Sequence, residues 1–376
     1  MEHPKLRLLL PWDEIEQGAQ EQIQYLLDLP FLRILAIMPD IHQGFLAPIG
    51  SVARLQGVIS PAFVGVDIGC GMSHCQLPVK VSTLTQAQLL EIRDKIKAHI
   101  PMGFSINSNN HVDYPYGDFE SASHDLQLND LVMDKLYSSY GTLGGGNHFI
   151  ELGVSRNTGN LGITIHSGSR NPGYRVAEFW MNVAKEEQTE LPEGFLYLCS
   201  DRGQEYLQDM EYMQSYALHN REKMMSIILN CLRPFCDFDK TAVMFSLINE
   251  NHNHAIVEHE RVLHRKGATP AAKDQLGIIP GNMRDGVYIT RGLGNQEFLE
   301  SASHGAGRTC SRSKARKECD MGLFKEQMKG IVWDDRETLK DENPEAYKNL
   351  DTVIKYQEGV VIEVVDKFDP VINLKG

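Results

Sequence analysis

The chain has 376 residues, of which 37 are basic and 50 acidic, so its formal net charge is −13. Apolar residues make up 42% of it, which is enough for a sizeable core and excludes a disordered chain. The length allows one large domain or several smaller ones, and because no linker is visible we expect residues 1–376 to form a single domain. The acidic balance argues against a protein that coats nucleic acid by bulk charge, but it permits a local basic groove.

The apolar runs and the cysteines bear on the cellular setting. No run approaches the roughly 18 uninterrupted apolar residues of a membrane span, and the N-terminal segment lacks the pattern of a secretory signal. The seven cysteines form no Cys-x-x-Cys pair, and their odd number favours free thiols in a reducing compartment. We therefore expect a cytoplasmic protein without membrane contacts.

Short apolar runs alternate with longer amphipathic stretches, which predicts an α+β fold. The runs 62–66, 161–165 and 242–248 have the length and β-branched content of buried strands. Residues 83–99 follow a Ser/Thr cap and residues 203–232 carry apolar side chains at helical spacing, so both predict helices. Core packing alone would explain the longer helix.

Glycine-rich segments lie far apart along the chain and predict loops at strand ends. Functional residues concentrate in such loops, so their convergence would build one α+β unit around a single site. Neither GxGxxG nor GxxxxGK[ST] occurs in a strand–turn–helix setting, which argues against a doubly wound nucleotide-binding fold.

Several of these loops carry residues that bind metals. Asp67 and Cys70 lie three residues apart between glycines, where the thiol would stay open to a ligand, although a free cysteine is more often a buried small hydrophobe. His148 follows a glycine run and is expected to be exposed on a mobile turn. His166 ends an apolar run, with Arg170 nearby. Each histidine could hold a metal or simply bond to the backbone.

A histidine-rich segment follows further along the chain. Four histidines fall between His252 and His264, and a polar surface segment is the alternative interpretation. Arg265 and Lys266 precede a glycine and could contact phosphate or RNA, or form a solvated turn. Imidazole and thiolate suit late transition metals whereas carboxylate suits manganese or magnesium, so the sequence leaves the metal open.

The densest basic segment of this acidic chain begins near His304. Small residues surround this histidine, which leaves room for a ligand, and histidine can act as a covalent nucleophile. Arg308 could pair with phosphate oxygens, whereas residues 312–317 could instead be a solvated helix face. The residues alone indicate a phosphoryl-transfer enzyme with a dinuclear metal site.

Taken in order, these motifs resemble the RtcB family of RNA-splicing and RNA-repair ligases from about residue 40 to the C-terminus. Each motif is weak alone, but together and in this order they are highly specific. They occupy residues 40–44, 48–50, 67–71, 147–151, 166–170, 252–253, 265–268, 304–308, 346–348 and 374–376.

The resemblance implies a reaction and a metal site. The family uses GTP and manganese to join an RNA 3′-phosphate or 2′,3′-cyclic phosphate end to a 5′-hydroxyl end. By resemblance, His304 is the nucleophile that forms a covalent histidine–GMP intermediate. The resemblance also implies two Mn²⁺ ions that share Cys70, the first bound by Asp67, Cys70 and His148 and the second by Cys70, His166 and His252.

The resemblance further implies a guanine pocket and RNA contacts. Glu151 can accept from the guanine N1–H and N2–H₂ edge and Lys375 can donate to O6, which favours guanine over adenine. The other implied nucleotide contacts are Asn147, Asn282, Ala306, Gly307, Arg308 and Tyr347. Asp40 and His42 are expected to support the site. The candidates to hold RNA phosphates are Arg170, Lys266, Arg308, Arg312 and Arg316, of which only the first three lie at matched motif positions.

Some positions depart from the family pattern. Asn282 and Val287 replace two serines of a nucleotide-binding segment, and Arg284 adds charge there. His254 competes with His252 as a metal ligand, and we prefer His252 because His-Asn is the family dipeptide. The departures suggest a divergent bacterial member and leave two alternatives, a metal-dependent cyclic-phosphate hydrolase and a non-catalytic subunit that binds RNA ends. Family members often work with a small activator, archease, and the sequence leaves that need open.

Overall fold

The structure is a computed structural model and describes residues 2–108, 126–187 and 190–376. The described residues form seventeen strands and nine α-helices. The strands are β1 (Leu6–Leu8), β2 (Leu32–His42), β3 (Ile49–Gln56), β4 (Val58–Ile59), β5 (Gly71–Lys80), β6 (Phe149–Ser155), β7 (Asn160–Ser167), β8 (Leu196–Tyr197), β9 (Ile248–Asn251), β10 (Asn253–Glu258), β11 (Arg261–Lys266), β12 (Ala268–Pro270), β13 (Leu276–Pro280), β14 (Val287–Gly292), β15 (Ser301–Ser303), β16 (Val332–Trp333) and β17 (Ile362–Lys375). The helices are α1 (Gln17–Leu27), α2 (Gln86–His99), α3 (Leu126–Ser139), α4 (Arg170–Glu186), α5 (Asp201–Leu232), α6 (Lys240–Phe245), α7 (Arg312–Glu318), α8 (Met321–Gln327) and α9 (Leu350–Lys355).

Two sheets organise the described residues, and the mixture of helix and sheet confirms the predicted α+β class. The larger sheet has the order β13-β14-β17-β6-β7-β5-β9, with β16 added alongside β17. Its first and last strands contact each other, so the sheet nearly closes around an apolar interior. The smaller sheet has the order β1-β2-β3-β11-β10. Apolar burial inside and around these sheets supplies the main driving force for the fold.

The long helix α5 belongs to two apolar clusters. Met224 and Ile228 pack with α2 and the large sheet. Met210 and Tyr216 pack with α3 and α4. The helix is therefore buried along most of its length, with the large sheet and α2 at its C-terminal half and the other helices at its N-terminal half.

Periodicity predicted the longest elements correctly. The helix expected over 203–232 is α5, whose first turn is capped by the Ser200 side chain. The helix expected over 83–99 begins slightly later, at Gln86, because Thr85 forms a capping box with Gln88. The strand expected over 161–165 is β7.

Two predicted strands are wrong. Residues 62–66 enter a 3₁₀ turn and then a loop, because Pro61 fits the first position of a turn and Gly65 takes a positive φ of 97°. Residues 242–248 contribute mostly to helix α6, because the Asp239 side chain accepts hydrogen bonds from the amides of Thr241 and Ala242 and caps a helix start. Apolar runs of this length fit a buried helix as well as a strand.

No helix within residues 2–108, 126–187 and 190–376 combines the length and the apolar character that crossing a membrane would need.

Candidate metal centre and nucleotide cleft

The five residues expected to bind metal meet at one edge of the large sheet. Asp67 and Cys70 immediately precede β5, and His148 immediately precedes β6. His166 lies at the end of β7, and His252 follows β9. Because β5 and β6 are each antiparallel to β7, and β9 is antiparallel to β5, these strand ends come together in space.

The side chains of these residues form one continuous cluster. Cys70 Sγ lies 3.5 Å from His148 Nε2 and 3.2 Å from His166 Nε2. Asp67 Oδ2 is 3.0 Å from His148 Nε2, and His252 Nε2 is 3.4 Å from His166 Nε2. The potential ligand atoms of Cys70, His148 and His166 all lie within 4.8 Å of one another, which is the spacing of groups around a shared cation.

Burial sets the protonation of this cluster. Cys70 is only 4% exposed, so the prediction of an open thiol is wrong. Burial, and to a lesser extent the nearby charge of Asp67, raises the pKa of the Cys70 thiol well above its usual range. Burial also lowers the pKa of His166 and of His252, so both imidazoles are neutral. Burial opposes ionisation of Asp67, but hydrogen bonding and charge interaction with His148 hold its pKa below the usual value. A carboxylate, a thiol and neutral imidazoles fit a divalent transition metal, which displaces a thiol proton on binding.

Backbone carbonyls orient two of the histidines toward the cluster. His148 Nδ1 lies 3.0 Å from the Leu143 carbonyl, and His166 Nδ1 lies 3.2 Å from the Asn147 carbonyl. Each contact leaves Nε2 for a ligand, the arrangement found around metal-binding histidines. His148 is 4% exposed, so the expectation of an exposed turn is also wrong.

The rival histidine lies outside the cluster. His254 Nε2 accepts a hydrogen bond from Arg265 Nη1 at 3.0 Å. The same guanidinium donates to Ser301 Oγ and to backbone carbonyls, so both side chains are buried structural groups. The structure thus places His252, and not His254, beside the other candidate ligands.

His304 adjoins the metal cluster and is held by a buried carboxylate. Its ring centroid is 4.9 Å from that of His252, and its Nδ1 lies 2.6 Å from Asp40 Oδ2. The same oxygen accepts hydrogen bonds from the amides of His304 and Gly305 at 3.1 and 3.3 Å. Because Nδ1 faces the carboxylate, Nε2 is the ring nitrogen left for reaction.

A cleft lined largely by polar and small residues opens beside His304. Glu151 lies just behind its wall, where Glu151 Oε2 accepts from Asn373 Nδ2 at 2.9 Å, and burial raises the pKa of Glu151 to about 8. The other predicted nucleotide contacts line the cleft, namely Asn147, Asn282, Ala306, Gly307, Arg308, Tyr347 and Lys375.

Comparison with known proteins fits this geometry. A family model described as tRNA-splicing ligase RtcB matches residues 22–376, which is nearly the whole chain. The chain belongs to the RtcB family. The motif resemblance is therefore confirmed.

Two relatives align with this RtcB chain along most of their length. The RNA-splicing ligase RtcB of Escherichia coli (strain K12) is 32% identical over an alignment of 396 positions, covering 96% of this chain and 95% of that protein. The tRNA-splicing ligase RtcB of Methanococcus maripaludis is 27% identical, covering 98% of this chain and 93% of that protein.

One acidic residue of the RtcB cleft was missed by the sequence analysis. Glu342 is almost wholly buried and accepts hydrogen bonds from Lys375 Nζ at 2.5 Å, from the Tyr347 hydroxyl at 2.6 Å and from Arg308 Nη1 at 3.3 Å. It also accepts from Arg312. Burial opposes its ionisation, but Lys375 and Arg312 hold its pKa low. The dense basic segment was the available signal, because cations gathered around a pocket need an anion among them.

The expected RNA contacts differ in their exposure. The side chains of Arg312 and Arg316 are 41% and 61% exposed, and both pair with Asp341. Lys266 is buried instead, its ammonium donates to two backbone carbonyls, and burial lowers its pKa to about 7. Arg170 donates to Thr142 Oγ1 and to a backbone carbonyl. Arg312 and Arg316 are thus the candidates most open to a phosphate.

The departures from the RtcB pattern have local structural explanations. Val287 is wholly buried in the apolar interior of the large sheet, so it does not replace a polar contact in the cleft. Asn282 Oδ1 accepts from the amides of Arg284 and Asp285, so the asparagine closes a turn at the cleft wall. Arg284 pairs with Asp285.

Proposed function

We propose that this RtcB-family chain is an RNA ligase that joins RNA 3′-phosphate or 2′,3′-cyclic phosphate ends to 5′-hydroxyl ends, with GTP and manganese, in RNA repair or tRNA splicing. One observation carries the proposal. His304 stands between the metal-ligand cluster and the cleft that the predicted nucleotide contacts line, with its Nδ1 2.6 Å from Asp40 Oδ2. We further propose that residues 1–376 act as one domain, since segments from both ends of the chain build the site.

The metal cluster would take two Mn²⁺ ions. The ligands would be Asp67, Cys70, His148, His166 and His252, with Cys70 shared between the ions. Bound manganese would polarise phosphate oxygens and offset the charge that develops at the reacting phosphorus. The chain's own contribution is the fixed orientation of each ligand and a buried setting from which bulk water is largely excluded.

His304 would carry the first chemical step. With Asp40 Oδ2 at 2.6 Å, Nδ1 would keep its proton and donate a hydrogen bond to the carboxylate, so the lone pair would reside on Nε2. Nε2 forms a bond to the α-phosphorus of GTP, the bond between that phosphorus and the oxygen leading to the β-phosphorus breaks, and pyrophosphate leaves. The product is a histidine–GMP phosphoramidate. Binding of GTP in the cleft would favour this attack, because it would fix His304 Nε2 in line with the bond to the leaving oxygen.

The RNA would enter in the steps that follow. Water first opens a cyclic phosphate end to a 3′-phosphate. An oxygen of that phosphate then attacks the phosphorus of GMP, and the bond to His304 Nε2 breaks, which leaves the RNA end activated by GMP. Finally the 5′-hydroxyl oxygen attacks the RNA phosphorus and loses its proton while GMP leaves. The residues proposed to hold RNA phosphates are Arg170, Lys266, Arg308, Arg312 and Arg316.

Two residues would select guanine. Lys375 Nζ reaches the cleft from the end of β17 and can donate to guanine O6, which adenine replaces with an amino group. Glu151 lies behind Asn373, and its Oε1 has no hydrogen-bond partner among the described residues. Burial keeps Glu151 protonated near neutral pH in the free protein. Hydrogen bonds from guanine N1–H and N2–H₂ would favour its ionised form once the base reaches past Asn373. Adenine offers the opposite pattern of donors and acceptors.

Covalent labelling tests the proposal directly. Purified protein is incubated with Mn²⁺ and GTP labelled at the α-phosphate, with labelled ATP in parallel, and covalent label on the protein is measured. We expect label from GTP only, and none in His304→Ala. Manganese binding by the variant is the control, because His304 is not among the proposed ligands.

Failure of labelling would favour a different activity. If wild-type protein takes no label at any manganese concentration, with or without an archease-type activator, the ligase proposal is wrong. Opening of a 2′,3′-cyclic phosphate without labelling would then identify a hydrolase. Binding of RNA ends without turnover would identify a non-catalytic subunit.

A further inference from the structure

Helix α5 carries two consecutive polar residues that the proposed chemistry does not use. Asn220 and Arg221 lie well inside this 32-residue helix, and both are 0% exposed. Burying an amide or a guanidinium costs free energy unless hydrogen bonds compensate. The partners of these two side chains therefore show what their burial achieves.

Arg221 joins three loops of the metal cluster. Its Nη1 donates to the carbonyls of Gly69 at 3.0 Å and Ser167 at 2.9 Å. Its Nη2 donates to Asn251 Oδ1 at 2.7 Å, and its Nε donates to Asn249 Oδ1 at 2.7 Å. Gly69, Ser167 and Asn251 are the immediate chain neighbours of three candidate ligands, Cys70, His166 and His252.

Asn220 adds the fourth loop. Its Oδ1 accepts from the Gly141 amide at 2.7 Å, and its Nδ2 donates to the carbonyls of Thr142 at 3.2 Å and Gly168 at 3.1 Å. The next carbonyl, that of Leu143, faces His148 Nδ1. The loop before His148 and the loop after His166 are thus tied to the same point on α5.

The loop at Gly69 lies directly on the helix. Gly69 has a positive φ of 69°, and a Cβ at that position would be 2.8 Å from Ala217 Cβ and 3.0 Å from Gln214 Cα. A side chain there would collide with α5. This close approach lets Arg221 reach the Gly69 carbonyl. It also restricts movement of the loop that carries Cys70 relative to the helix.

We infer that Asn220 and Arg221 are positioning residues, which hold the four ligand loops at the spacing that metal binding requires. The planar guanidinium makes four directed hydrogen bonds to loop groups, whereas a lysine offers one ammonium and cannot span them. The inference depends on one part of the proposed function, namely that the cluster binds a divalent cation.

Arg221→Lys in the full chain tests the inference. The probe is Mn²⁺ alone, and its affinity is measured by electron paramagnetic resonance of the free ion. We expect affinity to fall about 10- to 100-fold, as for other groups that orient metal ligands. In metal-free protein, hydrogen exchange should become faster in segments 67–71, 141–148, 166–170 and 249–253, but not in α2.

Asp209→Asn is the matched control. Asp209 is also buried in α5, and it accepts from Trp180 Nε1 at 2.7 Å, on α4 and away from the four loops. This variant should keep wild-type manganese affinity even if its melting temperature falls. Equal losses of affinity in the two variants would overturn the inference, because general loosening of α5 would explain both.

A second variant covers the case in which Arg221→Lys does not fold. Asn251→Ala leaves Arg221 in place and removes two ties between the His252 segment and α5. These are the hydrogen bond from Arg221 Nη2 to Asn251 Oδ1 and the one from Asn251 Nδ2 to the Gln214 carbonyl. The substitution should weaken manganese binding and speed exchange in segment 249–253. Wild-type affinity and exchange in a folded variant would overturn the inference.

The outcome is independent of the ligase assay. If wild-type protein binds Mn²⁺ but takes no label from GTP, the proposed function fails and the affinity ratios still decide the inference. If wild-type protein binds no Mn²⁺, the inference is overturned, because the spacing of the loops then serves no metal.

Discussion

The carboxylate of Asp40 contacts both the His304 ring and the backbone that carries it. An amide at this position could accept from one group and donate to another, so it would no longer fix the proton on Nδ1. Asp40→Asn should therefore lower the rate of covalent labelling by GTP on the order of 10⁴-fold, as happens when an aspartate that orients a catalytic histidine is replaced. Single-turnover labelling measures this rate. Manganese affinity should not change, and a labelling rate near that of wild type would contradict the proposed tautomer.

Glu151 gives the stability of the protein a distinctive pH dependence. Burial raises its pKa to about 8 in the folded chain, against a usual value of 4.5, so the folded state holds this proton more tightly than the unfolded state. The stability linked to that proton is complete below pH 4.5 and is lost as pH rises to about 8. Glu151→Gln has no such proton to lose.

The difference in unfolding free energy between Glu151→Gln and wild type should therefore grow with pH. Between pH 5.5 and 7.5 it should rise in favour of the variant by about 1.4 kcal/mol per pH unit. Urea denaturation at several pH values measures it. Parallel curves for the two proteins would show that the buried carboxyl does not retain its proton.

At the level of helices and strands, periodicity was informative where an element is long. Helix α5 and strand β7 follow from spacing and residue type alone. Short apolar runs were ambiguous, and 242–248 became a helix because one cap residue, Asp239, decided the matter. The buried contacts of Arg221 could not be predicted, because its partners lie at least 28 residues away in sequence and no local pattern indicates them.

Helix α2 offers a test of this local reasoning. The Thr85 side chain accepts from the Gln88 amide and caps the helix start. Thr85→Ala should lower the free energy of unfolding by about 1 kcal/mol, within the usual range for such caps. Urea denaturation measures it, with Glu91→Ala on the exposed face of the same helix as the control. Covalent labelling by GTP should be unaffected, because no residue of α2 belongs to the metal cluster or lines the cleft.

For the whole molecule, the order of the motifs predicted which residues meet at the site. Local patterns were poorer at predicting how buried those residues are. The five candidate ligands, His304 and the cleft residues do meet, although their segments are scattered from residue 67 to residue 375. Exposure was harder to foresee: Cys70, His148 and Lys266 are all buried. Their surroundings come from residues distant in sequence, so burial could not be read from the flanking glycines or charges.

The overall charge leads to an expectation for RNA binding. The chain carries −13, and two of its exposed cations, Arg312 and Arg316, are already paired with Asp341. Judged by the open arginines, about two to three phosphates should be neutralised on binding, so the slope of log affinity against log salt should be about −2. Fluorescence anisotropy with a labelled single-stranded RNA from 50 to 300 mM salt measures it. A slope near −6 would reveal a much larger basic surface.

Strand β17 lies between β14 and β6, yet it follows both of them in the chain. A ribosome therefore makes the two flanking strands long before the one that must fit between them. Until residue 375 emerges, the large sheet has a gap at its centre and the cleft lacks its lysine. A growing chain thus cannot complete the proposed guanine-binding wall early, and any capture of a nucleotide there must wait until synthesis has passed this strand.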